Sequence, residues 1–293
     1  MRYSVLGFAL CVASAASSVA ASAQHRVDRS LDSLGDAAAT AVVRYADRSV
    51  AAADGYHRIG PDFPGMGEHW LHPATLLTGR VSADQPTILI FATIAGKPTL
   101  LGVGFVATTD RDHPTRDLPG WPGAWHEHSG LLSDESGVAP GAGIEGDTHV
   151  WVLHVWTGLP NADGRFVPDN WALPFLRAGI ATPDRVNADA ARAVSLVSGG
   201  ERYVRDVLTD ANIRTASNSA SVDFVIAEAR GSVTKILAPH RVDGLLGPSQ
   251  SDALAAAWRE LNVSLEKVVG ENVQRLLAPA HTAGNTHLHE GSP

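Results

Sequence analysis

His126 and His128 flank a single residue in the stretch 125–129, next to Trp125. In an extended chain side chains alternate, so both imidazoles project from one face and Glu127 from the other. In the run 149–156, His154 shares a face with Val150, Val152 and Trp156. An imidazole in so apolar a row must be hydrogen-bonded or bound to a metal to offset its burial. His69 follows Gly65-Met66-Gly67-Glu68, a flexible approach that can bring its ring to a pocket mouth. These spacings predict one divalent-metal site with His69, His126, His128 and His154 as ligands. Three neutral imidazoles and an open position are a catalytic-type arrangement. Zinc or copper suits imidazole ligands, with non-haem iron a further option. Glu68 and Glu127 are the candidate catalytic carboxylates, as general base or as the group that orients an imidazole. Trp70 and Trp156 are the candidate walls for a small-molecule ligand.

The neighbourhood of these histidines is unusual. Six of the 7 tryptophans (Trp70, Trp121, Trp125, Trp151, Trp156 and Trp171) fall in one window with His69, His72, His113, His126, His128, His149 and His154. Tryptophan clustered with histidine suggests a walled, partly apolar pocket, and equally a β domain that packs on indoles. Other chemistries find no support. No GxSxG elbow, HExxH or Walker loop is present, and no GxGxxG follows a strand. Asp110, Asp112 and Asp117 lack the spacing of an EF-hand loop, and Asn262-Val263-Ser264 is a sequon on a predicted helix.

Composition narrows the class. The chain has 293 residues, 44% hydrophobic and 18% charged, with 23 Lys and Arg against 31 Asp and Glu, a net charge of −8. That balance, with no basic run, excludes a nucleic-acid binder. Arg2, the apolar stretch from Val5 to Ala20 and Ala21-Ser22-Ala23 read as a signal peptide over 1–23, with Gln24 as the mature N-terminus. Cys11, the single cysteine, lies inside it, so the mature chain has no thiol and any metal must be held by His, Asp or Glu. A periplasmic or secreted location follows. After signal cleavage no transmembrane segment is expected.

The positioning elements read as an α+β domain over 24–181. A long N-terminal helix (Val27 to Ala53, capped near Gly55) should pack on a mainly antiparallel β-sheet or open barrel. Residues 55–71 read as a Gly/Pro loop. The runs 87–94 and 99–108, joined by Ala95-Gly96-Lys97-Pro98, read as a hairpin whose first strand is central, and 149–156 as a further strand. Loops 111–123 and 133–147 would be mobile covers over the site. From 182 to 281 the period becomes helical: 186–197, 200–208, a face through Val222 and Ile236, and a longer one from Leu254 to Leu276, with Ser249 or Ser251 as N-cap. Residues 282–293 read as a disordered tail.

Four segments in this order carry a resemblance: Ala53-Asp54-Gly55-Tyr56, GMGEHW (65–70), PTILIF…GKPTLLGVGFV (86–106) and LHVWTGLPNADGRF (153–166). Together they resemble an uncharacterised family of exported proteins, a domain of unknown function. Its motifs are Met-Gly-x-His-aromatic and Leu-His-x-Trp followed by Asn-Pro-x-Gly-x-Phe. Met66, Gly67, His69 and Trp70 match the first; Leu153, His154, Trp156, Asn161, Gly164 and Phe166 match the second, with Ala162 in place of the proline. The resemblance implies importance for His69 and His154 and implies no reaction.

Two functions are expected. One is an exported divalent-metal-binding protein, with hydrolase or oxidase chemistry at the histidine site. The alternative is a non-catalytic binding module, or a homo-oligomeric assembly module of the cell envelope, without metal.

Overall fold

The computed structural model describes residues 29–109, 117–121, 123–127, 149–239 and 246–277. Residues 29–41 form helix α1, continued by a 3-10 turn Val42–Ala46 and by α2, Arg48–Ala53. The single helix expected over 27–53 is therefore broken. Asp47 takes an extended ψ of 117° and its carboxylate caps α2 by accepting from Ser49 N. An aspartate competes with the helix in this way because its side chain substitutes for the missing backbone acceptor.

Strands β1 (His57–Phe63) and β2 (Gly67–Leu71) form a hairpin where a loop was expected. The alternation that would have revealed β1 is lost to Gly60, at φ +60°, and to a register shift between Ile59 and Phe63. Helix α3 (Pro73–Thr78) follows, then β3 (Ile88–Ile94) and β4 (Lys97–Thr109). Their two-residue turn, Ala95-Gly96, has positive φ at both positions, the geometry that matches strand twist, so Lys97 and Pro98 belong to the strand rather than the turn. Strands β5 (His126–Glu127) and β6 (His149–Trp156) complete a six-stranded antiparallel sheet in the order β1-β2-β3-β4-β6-β5. As expected from its unbroken apolar run, β3 is internal, and its residues 88–92 are wholly buried.

The sheet has two apolar faces. Leu89, Phe91, Val103, Phe105, Leu153 and Val155 meet Leu31, Ala38, Val42 and Tyr45 of the N-terminal helices. Burying Phe91 and Phe105 stabilises the fold by roughly 2–3 kcal/mol each. Ile88, Ile90, Val106, Val152 and Trp156 line the other face with Leu173 of helix α4 (Ala172–Ala178). Helices α5 (Ala188–Ser195), α6 (Gly200–Asp210), α7 (Ser219–Leu237), α8 (Pro248–Val269) and α9 (Val273–Leu277) form a helical layer with its own core around Val194, Val204, Ile226, Leu254 and Trp258. The N-cap of α8 is Gly247 with Pro248 in the first turn, not Ser249 or Ser251. Proline at that position needs no hydrogen-bond acceptor and has its φ preset for the helix. Asn262 is buried in α8, its Nδ2 donating to Trp258 O at 2.8 Å, so the sequon is inaccessible in the fold. No described helix is long and apolar enough to cross a membrane. The segments read from sequence as signal peptide (1–23), as tail (282–293) and, for the most part, as cover loops (111–123 and 133–147) lie outside the described residues.

Candidate functional site

His69, His126 and His154 come from three different strands, β2, β5 and β6. They are 5%, 5% and 1% exposed. The ring of His154 lies between the other two, with centroids 5.5 Å from His69 and 5.0 Å from His126. Two imidazoles sharing a tetrahedral ion through bonds near 2.1 Å would have centroids about 5 Å apart. Among the described residues, no group of three or more His, Cys, Asp or Glu side chains is placed so that it could hold a metal ion. His69 and His126 are each ring neighbours of His154, without the three closing into a ligand cage.

Register explains the cluster. His126 pairs with Val152, two residues from His154, so their side chains share a face. His69 pairs with Ile90, Ile90 with Gly102 and Gly102 with Trp156, while Gly104 pairs with both Ile88 and His154. The two glycines alternate on the face that carries the histidines, and they leave β4 without side chains there. A Cβ on Gly104 would meet Ile88 Cβ at 3.1 Å and His154 Cδ2 at 3.6 Å; on Gly102 it would strike Val155 O at 2.6 Å. Glycines inside a strand mark such close approach, a signal present in the sequence that the search for ligands passed over.

His154 has a fixed tautomer. Its Nδ1 lies 2.9 Å from the carbonyl oxygen of Pro168. A carbonyl only accepts, so Nδ1 carries the hydrogen, and in the neutral ring the lone pair is on Nε2. Phe63 stands edge-on to His69 at 5.3 Å, and Trp156 edge-on to His154 at 6.4 Å. Beyond Phe63 a cavity of about 10 Å³, lined by Met66, Asp169, Trp171, Tyr203 and Trp258, has room for roughly one water. Burial there pushes the Tyr203 phenol up to about 12.

The other sequence candidates fall elsewhere. Glu68 and Trp70 lie on the opposite face of β2, as alternation requires once His69 faces the cluster. Glu68 accepts from Arg48 at 2.7 Å and from Trp70 Nε1 at 3.3 Å, tying α2 to the sheet. Neither reaches the histidines as a base or a pocket wall. Glu127 pairs with Trp151 through its backbone; its side chain, and all of His128, lie outside the described residues. Trp156 does face the cluster. The window of tryptophans is mostly structural: Trp121 packs on Trp125 and Trp151 at 5.8 and 4.9 Å, against the N-terminal helices. His72, also in that window, is a helix cap, accepting from Thr75 N through Nδ1.

No protein-family model matches the chain, and no curated protein or solved structure matches it.

Proposed function

We propose that this chain is an exported protein that binds a divalent metal ion through His69, His126 and His154, with His128 as fourth candidate ligand. The observation that carries the reading is the spacing of three buried imidazoles, drawn from separate strands, at 5.0 and 5.5 Å around His154. The Pro168 contact supports it, because metal-ligating histidines commonly donate their second nitrogen to a carbonyl. The donor set fits zinc or copper, with iron as the next option, since the only cysteine lies in the segment read as a signal peptide. An ion held there would supply Lewis acidity, the basis for hydrolase or oxidase chemistry on a small molecule.

Elemental analysis tests the reading. The mature chain from Gln24, purified without a histidine tag, is expected to carry near-stoichiometric metal, and the His154→Ala variant to carry none. Trace metal in both defeats it. The protein would then stand as an assembly module, for which the 65% exposed Phe224, beside the groove between α7 and α8, is the favouring observation.

A further inference from the structure

The loop that follows β6 returns to the histidine β6 carries. Trp156 donates its Nε1–H to Val167 O at 2.7 Å, and its backbone N–H to Arg165 O at 3.0 Å. Asn161 donates from Nδ2 to Asp169 O at 2.8 Å. The carbonyls on both sides of Pro168 are therefore held by side chains, and the ring of Pro168 restricts its own φ. Asn170 anchors the far end, with its N–H on Gly65 O at 2.7 Å and its side chain on the carbonyls of Leu159 and Pro160. Between these clamps, the Pro168 carbonyl is aimed at His154 Nδ1.

We propose that Trp156 and Asn161 are positioning residues for His154. They fix the Pro168 carbonyl as acceptor for Nδ1–H, and so keep Nε2 as the nitrogen that offers a lone pair. A free neutral imidazole exchanges its hydrogen between both nitrogens; a clamped carbonyl makes one tautomer the only one that avoids lone pair facing lone pair. The consequence for metal affinity rests on the metal reading above, whereas the tautomer itself does not. The pairing of Leu-His-x-Trp with a downstream asparagine then has one physical reason: the Trp and Asn hold the acceptor that the His needs.

The test uses the metal-stripped mature protein labelled with 15N-histidine, at mildly alkaline pH. Long-range 1H–15N correlation should show a pyrrole-type Nδ1 and a pyridine-type Nε2 for His154. Asn161→Ala and Trp156→Phe each remove one clamp, and each should give a mixed or reversed tautomer. Zinc affinity, read by chelator competition, should fall by about 10- to 100-fold. Leu159→Ala loosens the same loop without removing a clamp; it should lower Tm and leave the tautomer unchanged. An unaltered tautomer in both folded clamp variants overturns the proposal, even where the wild type binds zinc. A tautomer change in a protein that takes up no zinc upholds the clamp and removes the metal reading instead. If Asn161→Ala does not fold, Trp156→Phe, which keeps an aromatic ring in place, decides alone.

Discussion

His69 and His154 stand three strand spacings apart in the sheet, yet their ring centroids are 5.5 Å apart. A flat sheet would separate the two strands by about 14 Å. The rings approach each other over the part of β4 where Gly102 and Gly104 carry no side chains. Ile90 pairs with Gly102 and Phe91 with Leu100, so Leu101 is the extra residue of a bulge, and bulges increase local twist.

The glycine trough makes the first prediction. Gly104→Leu would insert a side chain between Ile88 and His154, where even a Cβ already meets Ile88 at 3.1 Å. The variant is expected to lose bound metal. Gly102→Ala should lower stability in urea by about 1–3 kcal/mol, because its Cβ would meet backbone that cannot move aside cheaply. Bound metal unchanged in a folded Gly104→Leu variant would show that the trough does not serve the cluster.

Glu68 provides the second. Its carboxylate is 10% exposed and Arg48 is 31% exposed, so the pair is partly screened. Arg48→Ala or Glu68→Gln should cost about 1–2 kcal/mol of unfolding free energy. Metal content should not change in either, since the pair lies on the other face of β2. A loss of metal or of metal-dependent turnover at wild-type stability would restore Glu68 to a catalytic role.

How far the sequence could be read depended on which residues broke the pattern. The α+β class, the central position of β3, the strand 149–156 and the helical layer followed from apolar periodicity, which burial on one face or both enforces. The β1–β2 hairpin escaped because Gly60, Pro61 and a shifted register removed its alternation. The N-terminal helix was read as continuous because Asp47 looks like any surface polar residue until its side chain caps α2. Parity placed His154 on an apolar face of its strand, but it could not oppose Trp70 to His69 while residues 55–71 read as a loop, so Trp70 was misassigned as a pocket wall. Pro168 was out of reach, since a backbone carbonyl leaves no residue-type signature.

In the helical layer, Asp223 accepts from Arg214 at 2.8 Å and from Arg205 at 3.0 Å, and these guanidinium groups hold its carboxyl below the usual range. A carboxyl with a lowered folded pKa contributes stability above its unfolded value near 3.9, and loses it as pH falls through the lower folded value. Asp223→Asn should therefore destabilise the protein slightly at neutral pH and flatten the acid limb of its stability curve below about pH 4. Measured by urea unfolding across pH, parallel curves for wild type and variant would rule out this linkage.

Metal binding to the native state alone must raise thermal stability by mass action. At free zinc about 100 times its dissociation constant the gain is about 2.7 kcal/mol, which for a domain of this size is a rise in Tm of roughly 5–10 °C. Chelator should reverse it in the wild type. His154→Ala is expected to abolish the difference between zinc and chelator, whatever its own Tm, because the comparison within one variant cancels the cost of the cavity left by the ring. His72→Ala is the matched control: removing this helix cap should lower Tm while the zinc response persists. An equal zinc response in His154→Ala would place the ion elsewhere on the chain and leave the histidine cluster as packing.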